Sequence, residues 1–399
     1  MSNRPLLLDI GSLSCACTDH VLDSMYKAIA DAPNDSALWI EHHNPYLREH
    51  LEDVTRRGLS ILSRIHSAIL ALLAGKVDEA FGPPAKGGVL RKALGWTRFT
   101  DDEMDEIRRR LAEKSPDDYT IDDWMMAVDW IVHRYLPDDV IHSEAEYLAV
   151  RAQILGQIEA AMPPDTSPDK AAAVATTMPQ WLDTFPKFTE REQAILDFSR
   201  ARAAELIVDI GDRARSRINH IILTHEQGRL LNDPAASMWA LQSKLQDEFA
   251  VLNRDWRRVA VTEVARDSNE GFIASLAPGT RVKRFEAYAG ACAFCRKIDG
   301  MVFTIVDPAD PDKQAWRDIW VGKTNVDRSA SPRKRVGDEL VERTPEEMWW
   351  PAAGTQHPNC RGGWSVLPNQ PDGVDPDFAA WLDKQLAQVG KESEGNALS

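Results

Sequence analysis

From about Asp19 to Met162 apolar residues recur at three- and four-residue spacing, with few β-branched runs. Residues 54–73 and 101–112 carry this pattern most clearly and predict helices. A loop is expected where Gly82-Pro83-Pro84 is followed by Gly87-Gly88, just ahead of Arg91, Lys92 and Arg98. The proline-rich string from Pro163 to Pro168, with Pro179 and Pro186 beyond it, forbids a continuous helix and marks a boundary. The pattern thus gives a helical N-terminal region over 1–165 and a proline-containing linker over 166–188.

A long helix begins at Thr189-Glu190-Arg191-Glu192, which matches a capping box. Its stripe runs Ile195, Phe198, Leu206, Ile210, Ala214, Ile218 and Ile222, with Arg202 in the one gap, and Gly228 is expected to end it. Asp233-Pro234 reads as an acidic N-cap with proline at the first helical position of a second long helix. The second stripe is Met238, Leu241, Leu245, Phe249, Leu252, Trp256 and Val259. Two long amphipathic helices joined by a short turn predict an antiparallel hairpin over 189–280.

After Gly271 the period changes. Residues 281–288, 301–306 and 364–367 read as short strands, with Asp299-Gly300 as a tight turn before the second. A small β-containing module is expected over 281–367, then a short helix near 378–389 and a polar tail within 368–399. The fold class is mainly α with a small α+β C-terminal module: a helical N-terminal region, a long antiparallel helical hairpin and a zinc-knuckle-like β-containing module.

Composition narrows the function classes. The chain has 399 residues, ample for two or three domains, with 43% hydrophobic and 27% charged residues, which is ordinary globular usage. Its formal net charge of −15 argues against a surface that coats nucleic acid throughout. No apolar run reaches the length of a membrane span, no secretory pattern follows Met1, and no membrane association is expected. Five cysteines are too few for a disulfide scaffold, so a reducing compartment is expected. Residues 101–146 hold 15 Asp/Glu against 5 Lys/Arg and read as solvated helix faces.

The strongest chemical signal is Cys292-x2-Cys295 together with His357-x2-Cys360. Each pair places two ligands on one turn, and two such turns complete a tetrahedral N/S site for zinc. Four protein ligands leave no open position, so this zinc would be structural. The competing reading is reduced structural cysteine with no metal. Cys15-x-Cys17 has poor zinc spacing and reads as an N-terminal thiol pair.

Glu263 falls on the apolar stripe of its helix and needs a partner, which Arg257, Arg258, Arg266 or a backbone amide could supply. A buried structural pair of Glu263 with Arg266 is expected in preference to a general base, since no nucleophile or second acid accompanies it. Arg328 and the run Arg333-Lys334-Arg335 are the residues expected to touch nucleic acid, weakly and without sequence preference. Residues 281–363 carry 14 Lys/Arg and 12 Asp/Glu, which makes this module the least acidic part of the chain. Gly322-Lys323-Thr324 resembles the end of a P-loop, but Arg317 stands where the first glycine belongs. After His225 the only histidine is His357, which leaves no second imidazole for a His-dependent nuclease.

Arg258-x3-Thr262-Glu263-x2-Arg266, Asn269-x-Gly271, the Cys292/Cys295 pair with Asp299-Gly300, and His357-Pro358-Asn359-Cys360-Arg361 together resemble the Mu F-like minor head proteins of tailed phages, also called phage head morphogenesis proteins. The resemblance covers about residues 190–365, and the His-Pro-Asn-Cys-Arg string is its most specific element. Family members often carry a further cysteine just after that arginine, where this chain has Gly362. The resemblance implies a non-enzymatic virion component in few copies, made in the bacterial host cytoplasm and lying in the head interior or at the portal vertex. It implies portal and capsid proteins as partners, a role in head assembly and in DNA packaging or delivery, and no small-molecule substrate. Thirteen tryptophans suit large contact surfaces as well as core packing. The alternative is a zinc-stabilised, nuclease-like DNA-processing enzyme that uses the same cysteines and basic run.

Overall fold

A computed structural model describes residues 47–81, 101–162, 188–286, 290–367 and 376–396. The chain is mainly helical, with a small mixed sheet toward its C-terminal end. The loop expected at 82–88, the basic residues Arg91, Lys92 and Arg98, the Cys15/Cys17 pair and all but the last position of the 166–188 linker lie outside the described residues.

The helices are α1 Leu47–Leu73, α2 Val77–Phe81, α3 Asp101–Ala112, α4 Ile121–Tyr135, α5 Asp138–Ala161, α6 Glu190–Leu230, α7 Met238–Ala274, α8 Ala293–Ile298 and α9 Pro376–Asn396. The strands are β1 Arg281–Phe285, β2 Val302–Ile305, β3 Asp318–Ile319, β4 Arg333–Val336, β5 Glu339–Glu342 and β6 Gly363–Val366. The chain divides into two compact units, Val54–Tyr147 with Arg200–Arg258, and Met1–Asp53 with Leu148–Ser199 and Val259–Ser399. Among the described residues no helix is long and apolar enough to cross a membrane.

In the unit of residues 54–147 and 200–258, α6 and α7 run antiparallel, as the Arg213–Asp255 and Arg217–Glu248 pairs at 2.9 Å show. The first turn of α6 belongs to the other unit, and its capping box forms, with Glu192 N donating to Thr189 Oγ1 and Thr189 N to the Glu192 carboxylate. The turn differs from the expectation. α6 ends with Asn232 in the left-handed region (φ 54), where Asn232 N and Asp233 N bond back to the Arg229 and Gly228 carbonyls. Asp233 caps no helix: its side chain accepts from Ala235 N in a local turn, and Ser237 instead receives Ala240 N at the start of α7. The α6 stripe also shifts. Ala203 and Ile207 are fully buried, while Phe198 is 58% exposed. The acidic stretch is partly internal. Asp123 is buried against Arg110 and Lys114; burial opposes its charge, but Lys114 and the Thr120 amide and hydroxyl hold it down to about 2.

In the other unit every residue of α7 from Ala260 to Ile273 is buried. Here α5 lies close against α7. A Cβ on Gly156 would fall 1.9 Å from the Ser268 carbonyl oxygen, and one on Gly271 would fall 2.2 Å from that of Gln153. The sheet has the order β3-β2-β1-β6, with β1 antiparallel to β2 and β6 and β2 parallel to β3. Val282, Phe303, Ile305, Ile319 and Trp364 from the sheet meet Phe272 and Ile273 of α7 and Leu276 just beyond it in one core. The three expected strands correspond to β1, β2 and β6. β3 and the β4–β5 hairpin were not expected, since the hairpin reads Arg-Lys-Arg-Val and Glu-Leu-Val-Glu and carries no alternation with a buried face. Gly337 (φ 62) opens its two-residue turn.

Candidate metal centre

Strand β1 and helix α8 build one side of the centre. Cys292 is the N-cap of α8, and its sulfur accepts the Cys295 amide at 3.4 Å. The Asp299-Gly300 turn, with Gly300 at φ 75, sends the chain back into β2. Asp299 Oδ1 also receives the Glu286 amide at 2.8 Å, which pins the residue that follows β1. The other side is the turn from His357 to Cys360, closed by Cys360 N on the His357 carbonyl, with Asn359 at φ 61.

The four residues expected to ligate a metal come together. His357 Nε2 lies 3.2 Å from both Cys292 Sγ and Cys295 Sγ, and Cys295 Sγ lies 4.0 Å from Cys360 Sγ. Donors bound to one tetrahedral zinc stand roughly 3.5–3.8 Å apart, so these spacings fit a shared ion. His357 Nδ1 is 2.8 Å from the Pro358 carbonyl, which can only accept. Nδ1 therefore carries the proton, and Nε2 presents its lone pair to the sulfurs, as a metal-bound imidazole requires. Burial pushes the Cys295 thiol well above the usual thiol range, with hydrogen bonds to Cys292 and Cys360 adding to it. A metal would thus displace a tightly held proton. The cluster Cys292, Cys295, His357 and Cys360 can bind a metal ion.

Two further charged groups stand under this cluster. Arg284 and Glu286 are fully buried, and Glu286 Oε1 accepts from Arg284 Nε at 2.8 Å. Both Glu286 oxygens lie 3.7 Å from Cys360 Sγ, and Arg284 Nη2 lies 3.8 Å from it. Neither belongs to a motif in the sequence. The available signal was alternation, since Val282, Arg284 and Glu286 share the buried face of β1.

Helix α7 braces the second turn and the segment after β3. Asn359 N donates to Thr262 Oγ1 at 3.0 Å, Asn269 Nδ2 to the Gly362 carbonyl at 2.8 Å, and Gly322 N to Glu270 Oε2 at 2.9 Å. Glu263 is buried with Arg266, whose Nη1 is 3.6 Å from Glu263 Oε2. The Arg266 guanidinium also lies over the Phe198 ring at 5.3 Å. Asp267 was not anticipated. Burial first and the Glu263 charge second push its carboxyl up to about 8, against the pull of Arg266.

The residues expected to meet nucleic acid are largely engaged within the module. Arg333 pairs with Glu342 at 2.9 Å and Lys334 with Glu347. Arg328 covers the Trp350 ring at 3.5 Å and donates to the Met348 carbonyl, while Arg335 is exposed on β4. Lys323 is no phosphate ligand. It is buried, its ammonium donates to the Ala315 and Asp318 carbonyls, and burial pushes it down to about 7. No protein-family model, curated protein or solved structure matches the chain.

Proposed function

We propose that this chain is a structural minor head protein of a tailed phage, non-enzymatic, with structural zinc in the Cys/His centre. Its partners are portal and capsid proteins in the head interior or at the portal vertex. It acts in head assembly and in DNA packaging or delivery, after synthesis in the bacterial host cytoplasm. One observation carries this reading. The two motifs that resemble the Mu F-like proteins, far apart in sequence, are joined residue to residue: Thr262 receives Asn359, and Asn269 donates to Gly362. The motifs therefore act as one unit, with α7 as a brace for a metal knuckle, and no substrate-sized chemistry is needed to explain them. A braced, ion-stapled module suits a part that must hold its shape against neighbouring proteins.

The test is co-expression with a tailed-phage portal protein, followed by size-exclusion chromatography and mass spectrometry of purified heads. A co-eluting complex and a low-copy signal in heads are expected. Absence from both would overturn the reading. Plasmid nicking with magnesium or manganese that Glu263→Gln abolishes would favour the nuclease-like alternative.

A further inference from the structure

We infer that Glu286 is a fifth donor of the Cys/His centre, binding the metal ion on its buried side beside Cys360. This rests on the metal-binding reading of the cluster. The ligand atoms of Glu286, Cys295 and Cys360 all lie within 4.8 Å of one another, as do those of Cys292, Cys295 and His357. Cys295 thus belongs to two triangles of donors, one facing the half-buried His357 and one facing the interior.

The inner triangle has the dimensions of a ligand set. Its Cys360–Glu286 edge is 3.7 Å and its Cys295–Cys360 edge is 4.0 Å. Metal–sulfur bonds of about 2.3 Å and metal–oxygen bonds of about 2.0–2.2 Å put donors roughly 3.1–4.0 Å apart across the ~90–120° angles of a five-coordinate ion. Without an ion, the Cys360 thiol can point its proton at the carboxylate. Once Cys360 becomes a thiolate to bind metal, that contact becomes two anions 3.7 Å apart in a buried site. Arg284 supplies one positive charge to the pair. A divalent cation touching both groups turns the remaining repulsion into attraction.

Gly362 independently points to this carboxylate as a designed occupant. A Cβ at Gly362 would lie 2.2–2.4 Å from the Glu286 carboxyl carbon and oxygens. Its backbone φ lies outside the left-handed region, so conformation alone does not call for glycine there. The missing side chain makes room for Glu286. The Asp299 bond to the Glu286 amide and the Arg284 bond to Oε1 hold the carboxylate in that room.

The experiment uses the full chain loaded with cobalt(II), read by its ligand-field and thiolate charge-transfer bands and by competition with a chromophoric chelator. Glu286→Gln should weaken cobalt binding by about tenfold or more and shift the ligand-field bands while keeping the thiolate bands. Gly362→Ala, which removes no donor atom, should do the same by displacing the carboxylate. If Glu286→Gln does not fold, Glu286→Asp keeps the charge, shortens the reach and should show the same shift. A parent chain that binds no cobalt would overturn the metal reading itself. A parent that binds, with Glu286 and Gly362 variants matching its affinity and bands, would overturn the inference alone. Weakened binding with unchanged ligand-field bands would also overturn it, because Glu286 would then act from outside the ligand set.

Discussion

The side-chain amide of Asn269, buried near the C-terminal end of a long helix, donates to the carbonyl of Gly362, 93 residues away, at 2.8 Å. Gly362 stands two residues beyond Cys360, so this bond ties the helix to the loop that carries a metal donor. Asn269→Ala would strand that buried carbonyl and should destabilise the chain by about 1–3 kcal/mol. Thermal unfolding measures this, and an unchanged melting temperature would mean the loop is held without it.

Glu263 and Arg266 face each other one helical turn apart, both buried, at 3.6 Å. Removing one partner strands the other, so Glu263→Ala should cost about 3–5 kcal/mol. The double change Glu263→Met with Arg266→Met should cost less than the single change, because no charge is then left unpaired. Chemical denaturation of the two variants decides between pairing and solvation.

The donor set of three thiols and one imidazole predicts roughly one zinc per chain in protein prepared without chelator. Cys360→Ser should lose it, and removal of the metal should lower the melting temperature of the parent. Elemental analysis alongside calorimetry tests both. A metal-free chain that melts like the parent would sink the idea of a structural ion.

Asp267 gives a pH dependence of definite sign. Its folded-state pKa, raised to about 8 by burial and by Glu263, lies above the ordinary carboxylate value of 3.8. The fold therefore holds a proton that the unfolded chain has released, and this contribution to stability falls as pH rises from about 4 toward 8. Glu270, raised to about 7 chiefly by burial, acts in the same direction, and Arg266 opposes both. Asp267→Asn mimics the protonated acid. Its melting temperature should gain on that of the parent between pH 5 and 8, and a constant difference across that range would contradict the assignment.

DNA contact should be weak. Arg333 and Lys334 are already paired with carboxylates and Arg328 is committed to Trp350, within a chain whose net charge is −15. Non-specific binding weaker than about 10⁻⁶ M with a shallow salt slope is expected. Changing Arg328, Arg333, Lys334 and Arg335 to Gln together should remove most of it. Fluorescence anisotropy across a salt series is the measurement, and a nanomolar complex would refute this placement.

Local features were readable because they depend on neighbours in sequence. The capping box at Thr189, the stripe from Leu241 to Trp256 and the Asp299-Gly300 turn need only spacing and residue type. The hairpin turn shows where that limit falls. Asp233-Pro234 is a sound helix start by local preference, yet Asn232 in the left-handed region spends those residues on a turn, and the helix opens at Met238. The β4–β5 hairpin escaped notice because both its faces are largely polar, so no alternation marks it.

By itself the sequence determined that the chain is mainly helical with a small β-containing module, and that three cysteines and a histidine form two ligand pairs, because helical period and knuckle spacing are written in short intervals. Only the tertiary structure decided what stands beside them. Glu286 under Cys360, Asn269 on Gly362 and Thr262 under Asn359 are meetings that no spacing encodes. Each depends on a long-range packing of strand, helix and loop that removes water. It is the loss of water that makes a buried carboxylate costly unless a cation, a proton or a donor is supplied.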